Sequence, residues 1–163
     1  MKKQPNKMLI WATRLLFYIY ILLLSYLLFF SEHYGRDGMT EGYRYNLELF
    51  KEIKRFIEYR QQLGFESVVV NIFGNVLAFT PFGFLLPMMN RRFHNFFRLL
   101  LSCIFFTLTI EMLQLVLRVG IFDVDDVFLN TLGGVIGFIA YMICSAIYRR
   151  HHIKKEKSRR SWQ

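Results

Sequence analysis

A chain of 163 residues that is 54% hydrophobic and 18% aromatic, with a mean hydropathy of +0.28, carries more apolar residue in longer runs than a small soluble domain buries. That class is excluded and a membrane protein is indicated. The net charge of +9 raises nucleic acid as a partner, but the basic residues lie mostly at the termini and in one short turn beside apolar runs, with no basic stripe or reader motif; this fits anionic lipid headgroups and argues against a nucleic-acid footprint.

The leading MKKQPNK runs into an apolar stretch over about 8–30, interrupted only by Arg14 and Ser25. At about 1.5 Å per residue it is long enough to cross a hydrocarbon core of about 30 Å. It exceeds a signal-peptide core and ends in SYLLFFSEH without the small residues of a cleavage site, so it is expected to stay as a first transmembrane helix. Arg14, near its basic end, is expected to snorkel to the headgroups. Residues 31–67 are polar, with acidic and basic residues nearly balanced; Gly35, Gly38 and Gly42 make the first half a loop. In the second half Leu49, Ile53, Phe56 and Ile57 recur at helical spacing, which predicts an amphipathic helix over about 46–62, lying on the membrane surface or covering the mouth of a bundle.

The second apolar run, about 68–89, contains Asn71 and Asn75, four apart and so on one face, with Gly83 allowing close approach and Pro81 removing a backbone donor that Thr80 and a neighbour are expected to offset. The basic turn NRRFHNFFR follows. In the third run, about 96–117, Thr107, Glu111, Gln114 and Arg118 fall at offsets of 0, 4, 7 and 11 and share one stripe. The fourth, about 127–148, puts Asp126, Asn130, Gly133 and Gly137 at the same offsets, so its polar face is also its packing face, with Gly133 and Gly137 a small-xxx-small pair. Cys103 and Cys144 read as small packing residues. The tail over 149–163 is basic and cytoplasmic and is assigned no fold; its two histidines read as tail charge rather than metal ligands.

These elements predict an all-α fold, a four-transmembrane-helix bundle as a single domain over 1–148. With the basic segments at both termini and between runs two and three, the positive-inside rule puts both termini in the cytoplasm. Asn71, Asn75, Glu111, Gln114 and Asn130 then converge at one depth, facing outward, as a polar pocket completed by Arg118, Asp123, Asp125 and Asp126. Glu111, Asp123 and Asp126 are oxygen ligands suited to a divalent cation, and Arg118 can grip phosphate or carboxylate. The structural alternatives are that Asp123 caps the last helix with Asp125 and Asp126 in its first turn, and that Glu111 pairs with Arg118 or with Asn75 across the bundle. No Walker loop, dinucleotide fingerprint, HExxH or zinc spacing is present, so no cofactor is assigned.

NIFGNVLAFTPFGFLLP (71–87), IEMLQ (110–114) and RVGIFDVDDVFLNTLGGVIGF (118–138) resemble the VanZ-like family, over about 45–138. The motif positions fall on Asn71, Asn75, Pro81, Phe82, Gly83, Glu111, Gln114, Arg118, Asp123, Asp125, Asp126, Asn130, Thr131, Gly133 and Gly134. The family often reads N-L-x-P-F in the outer loop, where this chain has Leu49 in place of proline, a departure that bears on the local turn. The resemblance implies a multi-pass protein of the bacterial cell membrane, associated in Gram-positive glycopeptide-resistance clusters with resistance to teicoplanin. The expected partners are membrane lipids and a lipid-linked cell-wall precursor or glycopeptide. Three functions stay open: a binding site for a headgroup, an intramembrane enzyme using Glu111 or Asp126 on a phosphorylated lipid, and a scaffold in which the polar cluster only locks the bundle.

Overall fold

A computed structural model describes residues 7–30, 43–59 and 65–160; the expected loop over 31–42 and the last residues of the expected amphipathic helix, 60–62, lie outside the described residues. Among the described residues four helices are long and apolar enough to cross a membrane. They are α1 (Lys7–Phe30), α3 (Phe65–Met89), α4 (Phe96–Val116) and α5 (Val124–Arg160). Between α1 and α3 come β1 (Tyr45–Asn46) and α2 (Lys51–Glu58); a 3-10 turn (Arg91–His94) joins α3 to α4, and β2 (Phe122–Asp123) precedes α5. The runs form helices because hydrocarbon supplies no partner for backbone N–H and C=O groups, and a helix satisfies them internally.

The centre of the bundle is the contact of α3 with α5, and glycine makes it. A Cβ at Gly83 would stand 2.9 Å from the Gly134 Cα, and one at Gly137 would stand 2.9 Å from both the Phe84 nitrogen and the Thr80 carbonyl carbon, closer still to its oxygen. At Gly133 the same clash falls on the backbone of Val76, while Cys103 of α4 fills the space over Gly134. The small-residue stripe read from the sequence therefore packs backbone against backbone. Two layers of side chains complete the interior: Leu24, Leu28, Phe79 and Ile110 in one, Phe82, Leu99, Cys103 and Phe138 in the other. Phe82 and Phe106 stack with centroids 4.4 Å apart. Leu22, Leu77 and Phe105 stay exposed, as lipid-facing residues do in the absence of water. Cys103 is buried as expected, but Cys144 is exposed, so the packing reading holds for Cys103 alone.

Helix α3 continues through Pro81 and Pro87. The Thr80 hydroxyl donates to the Val76 carbonyl and Tyr20 of α1 donates to that of Ala78, both at 2.8 Å, on either side of the Leu77 carbonyl that Pro81 leaves without its helical donor. Pro81 itself lines an apolar groove against α1 with Leu16, Ile19, Tyr20 and Leu23. The Arg14 guanidinium lies over the Trp11 ring, 5.4 Å from its centroid.

Two boundaries and one turn bear on expectation. Helix α2 begins at Lys51 rather than near 46, because Asn46 is held in the β1–β2 bridge and Phe50 adopts a left-handed backbone (φ 68°) just before the helix. The turn on which Leu49 bears forms without proline: the Asn46 side chain accepts from the Glu48 N–H at 3.2 Å, an Asx turn. The basic tail, given no fold from sequence, continues α5 as helix to Arg160.

Candidate functional site

The assembly is built at the end of the bundle where α2 sits. Tyr45 and Asn46 pair in parallel with Phe122 and Asp123, and the Phe122 N–H donates to the Arg44 carbonyl at 3.1 Å, which ties the loop after α1 to the turn between α4 and α5. The polar groups then connect in series. The Glu111 carboxylate, 2% exposed, accepts the Asp123 N–H at 3.1 Å. Asp123 in turn accepts the Asp125 N–H at 2.8 Å, which caps α5 as expected, and the Asn46 amide at 3.2 Å. Burial pushes the Asp123 carboxyl above its ordinary value; the Asp125 N–H and the Asn46 amide oppose this, while the neighbouring Asp125 and Glu52 charges add to it.

Asp125 carries the largest departure from expectation. It stands in the first turn of α5, yet its carboxylate, 1% exposed, accepts the backbone N–H groups of Phe50, Glu52 (2.9 Å) and Ile53 (3.2 Å). It is the N-terminal cap of α2, supplied from more than 70 residues along the chain, and Phe50 has no capping side chain of its own. The left-handed backbone at Phe50 sets its N–H toward Asp125 and its ring edge-on to Phe128, 5.4 Å between centroids. Helix α2 therefore covers the mouth, docked on α3 and α5.

Deeper in the bundle the Asn75 amide donates to Asp126, and the Asn130 amide donates to the Thr107 hydroxyl at 2.9 Å. Gln114 donates to the Leu28 carbonyl at 3.1 Å, tying α4 to the end of α1. Asn71, one turn before Asn75, is half-buried. The structure thus brings together Asn75, Glu111, Asp123, Asp125 and Asp126, with Asn130 one turn further in. Among the described residues Asn130 Oδ1 and Thr131 Oγ1 are buried without a protein partner.

Arg118 does not join them. Helix α4 ends at Val116, and the Arg118 and Val119 N–H groups turn back to the carbonyls of Leu115 and Gln114, leaving Arg118 left-handed (φ 55°). The stripe that placed it over Glu111 presumed helical phase beyond the last helical residue. Its side chain is exposed, with the guanidinium over the Tyr43 ring, 5.1 Å from the centroid. Among the described residues it makes no ion pair, so neither predicted partner of Glu111 is its partner: that role falls to the Asp123 backbone, and Asn75 takes Asp126 instead. Sequence reasoning passed over Asn46, Tyr43 and Thr107 as members of the site. Thr107 carried a signal in its place on the Glu111 stripe and Asn46 in its place at the head of the NLELF stretch, whereas Tyr43 carried none.

Among the described residues no three His, Cys, Asp or Glu side chains are placed to hold a metal ion. The chemistry of the assembly is acceptance of hydrogen bonds: its carboxylates take backbone and amide donors from three segments distant in sequence, 46–53, Asn75 and 123–125.

Four apolar helices with a polar assembly closing one end define a small multi-pass α-helical membrane protein. The VanZ/LLP1 family model matches residues 17–145, and the chain belongs to that family. No curated protein and no solved structure matches it.

Proposed function

We propose that this VanZ/LLP1 protein works in the bacterial cell membrane with its α2 end facing outward, where it engages the headgroup of a lipid-linked or cell-wall-related molecule and lowers susceptibility to glycopeptides of the teicoplanin type. The observation that carries this reading is the contrast at that end. Asp125 clamps α2 over the mouth and the other carboxylates are taken up by Asn46, Asn75 and the backbone of Asp123 and Asp125, whereas Arg118 is turned out beside Tyr43 with no ion-pair partner among the described residues. A guanidinium stacked on an aromatic ring at the edge of a fixed platform is suited to a phosphate or carboxylate. Arg91, Arg92, Arg98, Arg149 and Arg150 at the opposite end support the orientation, with both termini cytoplasmic.

The test is the minimal inhibitory concentration of teicoplanin in a strain deleted for the gene and complemented with wild type, Arg118→Ala or Asp125→Ala. Deletion is expected to sensitise the strain, wild type to restore it, and Arg118→Ala to fail while reaching normal membrane levels. Unchanged susceptibility in the deletion strain, together with no gain on expression in a susceptible host, would refute the reading.

A scaffold role is the second reading, favoured by the engagement of Glu111, Asn75 and Asn130 with other protein groups. It predicts that Glu111→Gln lowers thermal stability and yield together, and that Arg118→Ala, which touches nothing buried, leaves the phenotype intact.

A further inference from the structure

The end of the bundle opposite α2 also carries a built arrangement. The 3-10 turn between α3 and α4 is pinned at both ends by asparagine: Asn90 accepts the Arg92 N–H at 3.0 Å and Asn95 accepts the Arg98 N–H at 3.1 Å. Between them His94 reaches back, its Nε2 standing 3.1 Å from the Pro87 carbonyl oxygen and 2.8 Å from the Tyr141 hydroxyl of α5. The two rings lie 5.4 Å apart. The turn is thereby latched to both flanking helices.

The chemistry of that latch sets the direction of the phenol. A carbonyl oxygen only accepts, so the Nε2 facing Pro87 carries the hydrogen. With the hydrogen on Nε2, the Tyr141 oxygen 2.8 Å away is an acceptor of it too, which leaves the phenol's own proton for a further acceptor. Arg91 precedes His94 by one turn of the 3-10 segment that His94 ties to Tyr141, and Arg149 folds back along α5 toward it; both act electrostatically on that hydroxyl. The Nε of Arg149 donates to the Ser145 carbonyl at 3.3 Å, which fixes the stem and leaves the two terminal nitrogens for another group. From Pro87 to Arg98 and from Tyr141 to His151 there is no aspartate or glutamate, and among the described residues neither arginine makes an ion pair. Two guanidiniums and a phenol O–H, from two elements, thus stand at one end of the bundle with no carboxylate in either stretch.

We propose that this spot binds the phosphate of an anionic phospholipid in the adjoining leaflet, with Arg91, Tyr141 and Arg149 as its donors and His94 as the residue that positions Tyr141. A lipid fits better than free phosphate because the spot lies where the apolar spans end and exposed Phe97 (70%) and Tyr148 (65%) stand at the same end, able to meet acyl chains and glycerol. The site is separate from the α2 end and does not depend on the function proposed for it.

The experiment uses the full chain purified in a neutral detergent, with thermal unfolding and native mass spectrometry as readouts. Phosphatidylglycerol, phosphatidylcholine and inorganic phosphate are titrated against wild type, Arg91→Gln/Arg149→Gln, the charge-matched control Arg92→Gln/Arg150→Gln, and Tyr141→Phe. Phosphatidylglycerol is expected to bind and raise the melting temperature, with phosphatidylcholine and inorganic phosphate doing neither. Arg91→Gln/Arg149→Gln is expected to weaken phosphatidylglycerol binding by roughly tenfold or more, on about 1 kcal/mol per basic residue, and the control by much less. Tyr141→Phe, which keeps the ring against His94, is expected to weaken it while remaining folded. Equal losses in the two double variants would overturn the proposal in favour of diffuse charge. Inorganic phosphate binding as well as the lipid would overturn it in favour of a free-anion site. If Arg91→Gln/Arg149→Gln is unfolded, unchanged lipid binding by Tyr141→Phe overturns it.

Discussion

Replacing Asp125 by alanine removes the acceptor for three backbone N–H groups at the start of α2, those of Phe50, Glu52 and Ile53. A hydrogen bond to a charged group contributes about 1.5–3 kcal/mol, so three of them sum to several kcal/mol if the donors stay buried. They need not stay buried. Helix α2 is short, its outer side is exposed, and once undocked its N–H groups meet water, so the loss is limited to what holds α2 in place. Loss of an ordinary N-cap costs about 0.5–2 kcal/mol, and the desolvated setting of Asp125 at 1% exposure raises the figure to about 3 kcal/mol. At about 1.4 kcal/mol per factor of ten, this is roughly two orders of magnitude in the population of the undocked state. Hydrogen exchange on the protein in nanodiscs reads it directly. Amides from Phe50 to Glu58 should exchange roughly a hundredfold faster in Asp125→Ala, less so in Asp125→Asn, which keeps one acceptor oxygen, while amides in the middle of α4 stay as they are. Unchanged exchange across α2 would show that Asp125 does not hold it, and the platform on which the proposed function rests would lose its foundation.

Three further substitutions probe other contacts. Gly137→Ala sets a methyl against the Thr80 carbonyl and the Phe84 nitrogen, both backbone, and should cost about 1–3 kcal/mol, read as a lower melting temperature; an unaltered value would mean that α3 and α5 are not in backbone contact. Thr107→Val leaves the Asn130 amide without its acceptor, at about 1 kcal/mol, whereas Thr107→Val/Asn130→Leu also removes the unpartnered Oδ1 and should recover much of that loss; a double variant worse than additive contradicts the pairing. Asp123 supplies a pH dependence. Its carboxyl is raised in the folded protein, so the folded state favours the protonated form: that contribution is fully present below the ordinary value of 3.8 and is lost as pH rises through the raised folded value. Melting temperature should therefore fall more steeply with rising pH in wild type than in Asp123→Asn over the window above 3.8, and parallel curves would refute the assignment.

Much of this protein is fixed by local chemistry and is legible along the chain. Apolar runs of about twenty residues become helices wherever hydrocarbon denies their backbone any other partner, so α1, α3, α4 and the start of α5 fall where composition puts them. The glycines of TLGGVIG lie on one stripe by helical phase alone, and Asp123 precedes a helix with a donor two residues on, so packing face and cap are both readable. Partner choice is different, because it is a matter of which distant groups arrive at the same depth. Periodicity put Glu111 and Asp126 on inward faces but assigned Glu111 to Arg118 or Asn75. The tertiary structure gives Asp126 to Asn75, Glu111 to the Asp123 backbone and Asp125 to the start of α2. Arg118 left the stripe because α4 ends before it and the backbone turns left-handed there, so helical phase no longer predicts where its side chain goes. The sequence by itself determined the helices and their inner faces, since these follow from the solvent and from 3.6 residues per turn. Only the tertiary structure decided that Asp125 is a clamp on α2, that Asp126 takes Asn75 and that Arg118 is exposed, because hydrogen bonds across 50 to 75 residues depend on how the chain returns upon itself.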